Sequence, residues 1–236
     1  MSKAAPLSVI AIDGPVASGK TVLGRRLAER LGWRALDTGV MYRALTWLAL
    51  ERGVNLQDET ALTRLAEETR LKVGPPPPAS SESATIIVDD QDATPHLRSS
   101  HVEASVSIVA AVPGVRRRMV QLQREEARQG RIVMMGRDIG TVVAEDAAVK
   151  IYLEASPEVR AQRRAAERCA AGATVKEASV LEELENRDRQ DKKRDDSPLR
   201  PSKSAERLNT DDMSIEETVK AALRIAESRL PKEALL

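Results

Sequence analysis

The chain has 236 residues, with 37 Lys and Arg against 36 Asp and Glu, a net charge of +1 and 42% hydrophobic residues. That profile is the profile of a globular protein, and the charge balance argues against a nucleic-acid-binding domain, which carries a basic excess. With two Trp, two Tyr and no Phe, the core must rest on Leu, Val, Ile, Ala and Met, and there are few platforms on which single-stranded bases could stack.

A single cysteine, Cys169, excludes an internal disulfide and a four-cysteine zinc site, and it fits a reducing compartment. It reads as a bystander thiol on a charged helix. No apolar run approaches the roughly 18 residues of a membrane helix. Met1 to Pro6 leads straight into the first strand, and removing it as a signal peptide would destroy the motif that follows. A cytoplasmic protein with no membrane partner is expected.

The first element is the apolar run Ser8–Ile12, of buried-strand length. It is followed by Gly14, Pro15, Val16, Ala17, Ser18, Gly19, Lys20 and Thr21, a complete G-x-x-x-x-G-K-[ST] phosphate-binding loop. The glycines let backbone N–H groups ring a phosphate. Lys20 is placed to reach the β and γ oxygens, and the Thr21 hydroxyl to coordinate Mg²⁺. Leu23, Leu27, Ala28 and Leu31 then recur at helical spacing until Gly32 stops the helix. Strand, loop and helix are the context this motif requires.

Trp33–Leu36 is a second strand candidate, ended by Asp37-Thr38-Gly39. Val40–Arg52 reads as a largely buried helix stopped by Gly53. Asp58 can cap another, with Leu62, Leu65, Ala66 and Thr69 on one face. Gly74 and Pro75–Pro78, followed by a run of Ala, Ser and Glu to Ser83, cannot be helix. Thr85–Val88, a turn over Asp89–Asp92, and Ala93-Thr94 suggest a small hairpin. Residues 39–105 are taken together as an inserted subdomain.

Pro113 and Gly114 break the chain, and Val115, Met119, Leu122 and Glu126 track a helix to Gly130. Arg131–Met135 is a strand candidate leading into Gly136-Arg137-Asp138, and Val149–Leu153 is another. Glu154-Ala155-Ser156-Pro157 opens an arginine-rich helix. Ser214-Ile215-Glu216-Glu217 fits a capping box for the last helix. Strands alternating with helices argue for a parallel α/β sheet, whose ligands sit beyond the carboxyl ends of the strands. The phosphate loop, Asp37-Thr38-Gly39 and Gly136-Arg137-Asp138 would all lie on that edge.

Arginine binds phosphate oxygens bidentately and stays charged, so its placement matters. Arg160, Arg164 and Arg168 form one helical stripe with Arg163 beside it, which suits either a cationic lid or a solvated charged face. Arg187, Asp191 and Arg194 share a helical face at i, i+4 and i+7. A carboxylate there could hold two guanidiniums in register for a ligand, or the set could be a surface salt-bridge ladder. Arg43 sits one turn beyond Thr38, near a helix N-terminus that should face the cleft. A strand-terminal Arg137-Asp138 pair on the ligand edge suits function better than packing. His96 and His101 read as surface residues.

At this point the chain resembles the bacterial cytidylate kinase family, in the nucleoside monophosphate kinase group. The likeness covers nearly the whole chain. It is carried by Ile12-Asp13-Gly14-Pro15, by Asp37-Thr38-Gly39-Val40-Met41-Tyr42-Arg43, by Gly136–Val143, and by Arg187–Arg194 running on into Ser197-Pro198-Leu199. The resemblance implies an α/β fold: a three-layer P-loop core with a parallel sheet, an inserted monophosphate-binding subdomain and an Arg-rich lid. Its divisions would be residues 1–38 (core), 39–105 (subdomain), 106–155 (core), 156–198 (lid and flanking helix) and 199–236 (core). It implies phosphorylation of CMP and dCMP by ATP with Mg²⁺, in a protein expected to be monomeric.

The resemblance also implies roles for particular residues. Gly14 to Val22 would bind ATP phosphates. Thr38, Tyr42, Arg43, Arg137 and Arg194 would hold the CMP phosphate and its surroundings. Ser107, Arg116 and Asp138 would read cytosine, Arg187 and Asp191 would reach the sugar, and Arg163 and Arg164 would be lid arginines near the transferring group. Lys20, Arg137, Arg163, Arg164 and Arg194 are thus the expected catalytic residues. The position before Gly136 is often acidic in the family, and here it is Met135. Another monophosphate kinase, a small-metabolite kinase and a non-catalytic nucleotide sensor are the rival readings. No Asn-Lys-x-Asp string supports a GTPase.

Overall fold

A computed structural model describes residues 7–77, 82–170, 172–231 and 234. The reading of residues 1–6 as something other than a leader, and part of the polar connection before Ser83, lie outside the described residues. In chain order the elements are β1 (Leu7–Asp13), α1 (Lys20–Leu31), β2 (Arg34–Asp37), α2 (Gly39–Glu51), α3 (Glu59–Glu68), β3 (Leu71–Gly74), β4 (Thr85–Val88) and β5 (Gln91–Asp92). They continue as α4 (Ser100–Val109), α5 (Pro113–Arg128), β6 (Ile132–Gly136), β7 (Ala147–Glu154), α6 (Pro157–Ala170), α7 (Glu177–Lys193), β8 (Glu206–Asn209) and α8 (Ile215–Arg229).

The main sheet has the order β2-β6-β1-β7-β8, and every neighbouring pair is parallel. Its central strands β1 and β6 are apolar on both faces because both faces are covered. Successive β1 residues divide between two cores: Val9 and Ala11 pack with helices α2 to α5, Ile10 and Ile12 with α1 and α8. β6 alternates in the same way, so Met134 enters the first core and Met135 the second. Met135 is thereby buried against Gly24 of α1, where an added Cβ would come 2.2 Å from the Met135 sulfur. The methionine side chain packs two layers together and brings no polar group to the site.

Several expectations are met in detail. The Asp58 side chain accepts from Ala61 N–H at the start of α3, and Ser214 and Glu217 form the full capping box of α8. Others need correction. The small sheet has three strands, because Leu71–Gly74 pairs antiparallel with Thr85–Val88. Its hairpin turn is only Asp89-Asp90, both at positive φ, so the returning strand is Gln91–Asp92 and Thr94 opens a 3-10 turn instead. β8 has no counterpart in the sequence reading. α4 runs across residue 105, where a boundary was expected. His96 is exposed, as expected, but its ring stacks on Trp47 with centroids 5.2 Å apart.

Pro113 and Gly114 also act differently from a simple break: they are the first residues of α5. Proline suits that position because its missing N–H would be unpaired there anyway. Glycine is needed next, because a Cβ at 114 would lie 2.1 Å from Thr63 Oγ1 and 2.7 Å from Thr63 Cβ on α3. Replacing Gly114 by Ala should therefore destabilise the fold by about 1–3 kcal/mol through overpacking. Urea unfolding measures this, and a wild-type midpoint would contradict the contact.

Candidate active site

β1 ends at Asp13, and the chain turns at once into the phosphate loop. Gly14 has φ 154°, and a Cβ there would sit 2.3 Å from the Leu153 carbonyl oxygen, so no other residue fits. Gly19, with φ 89°, delivers the chain into α1, whose free N–H groups open onto the loop. Lys20 is 7% exposed. Its ammonium donates to the Pro15 carbonyl at 2.5 Å and to Ser18 Oγ at 3.2 Å. Burial, and next to it the charge of Arg137, bring its pKa well below the usual lysine value. The Thr21 hydroxyl donates to Asp37 Oδ2 at 2.5 Å.

Opposite the loop, α2 and α5 bring up the acceptor side. Thr38 precedes α2, and its hydroxyl donates to the Met135 carbonyl at 3.0 Å. Arg116 on α5 is buried, donates to Asp138 Oδ2 at 2.5 Å and to the Ala110 carbonyl at 3.2 Å, and lies 5.4 Å over the Tyr42 ring. Burial pushes the Tyr42 phenol up to about 12. Ser107 faces the same space from α4.

The strand-end pair splits its work. Asp138 goes to Arg116, while Arg137 Nε donates to Asp191 Oδ2 at 2.8 Å. Asp191 also pairs with Arg194. Burial alone would raise the Asp191 pKa, but Arg137 and Arg194 outweigh it and hold the carboxyl below its ordinary value. This corrects the expected arrangement, in which Asp191 bridged Arg187 and Arg194 on one helical face. α7 ends at Lys193, Arg194 is extended just beyond it, and the second guanidinium comes from Arg137. Arg187 makes no ion pair among the described residues, and burial together with Arg137 pulls its pKa down to about 10.

The arginine stripe of α6 serves several purposes. Arg160 is buried. Its Nη1 donates to Asp188 Oδ2 at 2.6 Å and to the Val16 carbonyl at 3.0 Å, while Val16 N–H donates to Asp188 Oδ1 at 3.2 Å. Arg168 pairs with Glu183 at 2.8 Å. Arg163 donates to the Thr210 hydroxyl at 3.1 Å and to its carbonyl at 2.6 Å. Arg164 bonds Glu103 and Glu167. Only Arg163 and Arg164 of the four reach the cleft.

That cleft has a volume of about 560 Å³. Every site residue named from the sequence lines it except Gly14 and Pro15, whose part is to shape the loop. The sequence reading missed two carboxylates. Asp37 accepts from Thr21 and from Gly39 N–H at 3.0 Å. Asp13 accepts from the N–H groups of Ile139 and Gly140, each at 2.8 Å, and so anchors the π-helical turn Ile139–Val143 that follows Asp138. No group of three or more His, Cys, Asp or Glu that could hold a metal occurs among the described residues. The Thr21 hydroxyl and Asp37 carboxylate are nevertheless hard oxygen donors of the kind Mg²⁺ takes alongside waters and phosphates.

Asp13 yields a pH test. Burial pushes its pKa from 3.8 up to about 6, against the two N–H donors and Lys20. Because the folded value is the higher one, stability from this group is present below about pH 4 and is lost as pH rises through 6. Carboxyl ¹³C titration should place Asp13 near 6, with the Ile139 and Gly140 amide shifts moving together with it. A midpoint near 3.8 would contradict the burial.

Residues 10–228 match the cytidylate kinase family. The cytidylate kinase of Pelotomaculum thermopropionicum is 44% identical over 211 residues, covering 89% of this chain and 92% of that protein. The cytidylate kinase of Herpetosiphon aurantiacus is 47% identical over 182 residues, covering 77% and 80%. A bifunctional pantoate ligase/cytidylate kinase from Synechococcus sp. is 43% identical over 230 residues, which are 97% of this chain but 44% of that longer protein. Among solved structures, an uncharacterized protein from Eubacterium ventriosum superposes with a TM-score of 0.51 at 11% identity, over 94% of this chain and 99% of that one, a likeness of fold alone.

Proposed function

This chain belongs to the cytidylate kinase family, and from that premise we propose that its cleft transfers the γ-phosphoryl group of ATP to CMP and dCMP, giving ADP with CDP or dCDP. The observation that carries the reading is the buried Arg116–Asp138 pair, which stands in the same cleft as a complete phosphate loop. Cytosine offers an amino donor at C4, which a carboxylate accepts. Uracil offers an oxygen there and would meet Asp138 acceptor against acceptor, a mismatch that excludes a substrate strongly when buried. Arg116 holds the reading carboxylate in place, with Ser107 beside it on the cleft wall.

The transfer needs no strong base, because the attacking CMP phosphate oxygen is already an anion. That oxygen bonds to the γ-phosphorus as the bond to the β-phosphate bridging oxygen breaks, and catalysis is positioning and charge stabilisation. In this reading Gly14 to Val22 cradle the ATP phosphates and Lys20 leaves the Pro15 carbonyl for the β and γ oxygens. Thr38, Tyr42, Arg43, Arg137 and Arg194 surround the acceptor phosphate, Arg187 and Asp191 reach the sugar, and Arg163 and Arg164 face the transferring group. Thr21 and Asp37 would hold Mg²⁺, which when bound screens the repulsion between the two phosphates. Residues 39–105 form the monophosphate-binding unit and residues 156–198 the lid. A cytoplasmic monomer that binds neither nucleic acid nor membrane completes the proposal. The balanced charge speaks against nucleic acid as a partner, and no helix among the described residues is long and apolar enough to cross a membrane.

The test is ADP release from Mg·ATP with CMP, dCMP, UMP, AMP and dTMP separately. Turnover led by CMP and dCMP is expected; turnover led by another monophosphate would overturn the role given to Asp138, and folded but inactive protein would overturn the kinase reading. Asp138→Ala should lower kcat/KM for CMP by about 10- to 150-fold, the worth of a hydrogen bond to a charged group, and leave ATP binding unchanged. Equal losses for both nucleotides would contradict base reading.

A further inference from the structure

One carboxylate beside the cleft serves two of its arginines from different elements. Glu103 lies on α4, one helical turn before Ser107. Nη2 of Arg164, on α6, donates to both Glu103 carboxylate oxygens, at 3.0 and 3.3 Å. Nη1 of Arg43, on α2, stands 3.5 Å from Glu103 Oε1. That contact is an ion pair without a hydrogen bond, and the Arg43 nitrogen is buried with no hydrogen-bond partner. Both arginines line the cleft, and Glu103 is not part of its lining.

Two guanidiniums converging on one anion is an arrangement a phosphate would also take. The arginine side chains are 16% and 19% exposed, so their charges are screened less than those of a surface pair. Arg43 is the less satisfied of the two. Burial brings its pKa down, and Glu103 is the strongest of the charges that oppose the shift. Arg164 has a second partner in Glu167, but that carboxylate is largely exposed.

Building on the reading of the cleft as a nucleotide kinase site, we infer that Glu103 is a positioning residue. It keeps Arg43 and Arg164 pointed together while the site is empty, and it competes with the acceptor phosphate for Arg43 and with the transferring phosphoryl group for Arg164. Because Arg43 belongs to the expected monophosphate-binding unit and Arg164 to the expected lid, the same carboxylate ties those two parts to each other. A nucleotide that takes either arginine loosens the tie as it binds. The carboxylate thus sets the affinity for the acceptor from outside the contact surface.

The competition has a sign that a packing role does not share: neutralising Glu103 should improve binding. Calorimetric titration of CMP into Glu103→Gln should give a Kd roughly two- to five-fold tighter than wild type, the range a partly exposed ion pair sets. KM for CMP should fall with it. Glu103→Ala should show the same direction. Unchanged or weaker CMP binding in folded variants overturns the inference, and so does failure of both variants to fold, which would make Glu103 a structural residue. The wild-type titration separates the two levels of argument. Absence of CMP binding there sinks the kinase reading and this one together, whereas wild-type binding and turnover with no tightening in Glu103→Gln sinks the role of Glu103 alone.

Discussion

Lys20, Arg116, Arg137, Arg187 and Arg194 meet in one cleft, so the fold must hold together charges that repel one another. Taking such groups out of water costs free energy unless each is paired. Asp138 answers Arg116, Asp191 answers Arg137 and Arg194, and the Pro15 carbonyl receives the Lys20 ammonium. The compensation is incomplete. Burial, and after it the nearby charge of Arg137, holds the pKa values of Lys20 and Arg187 below their ordinary ones. An anion with several oxygens supplies what the protein withholds, and polyphosphate is such an anion.

The sheet makes this crowding possible. In the order β2-β6-β1, three adjacent strands deliver Asp37, Gly136 and Asp13 to the same edge, with Asp13 in register with Gly136 and Asp37 with Met135. Parallel strands all end on that side, so loops far apart in sequence become neighbours. Three short segments, each fixed by a strand of the sheet, therefore reach the site without long supports of their own.

Much of this could be read from the chain. The phosphate loop, the strand ends at Asp37 and Gly136, the cap at Asp58 and the capping box at Ser214 are local patterns, in which neighbours in sequence satisfy one another. What escaped depends on partners distant in sequence. β8, with the sequence Glu-Arg-Leu-Asn, has no apolar run, and it is a strand because β7 offers it a free edge. β3 pairs across a proline-rich connection. Asp13 looks like any residue after a strand until Ile139 and Gly140 turn their N–H groups toward it, 126 and 127 positions later. The Arg187, Asp191 and Arg194 spacing suggested one helical face; the helix stops short of Arg194, and an arginine from β6's end completes the set.

The grip of Arg160 and Asp188 on Val16 has a mechanical consequence. Both backbone polar atoms of Val16 are tied to the α6–α7 pair, and Ala161, Val180 and Leu184 pack against Val16 and Ala17 in the same place. The two helices therefore cannot swing away as a free flap. Either the swing ruptures a buried ion pair, or it drags the tip of the phosphate loop along like a lever pulling its own fulcrum. Torque applied at the far end of α6 is delivered to the peptide next to Pro15, the residue whose carbonyl holds Lys20.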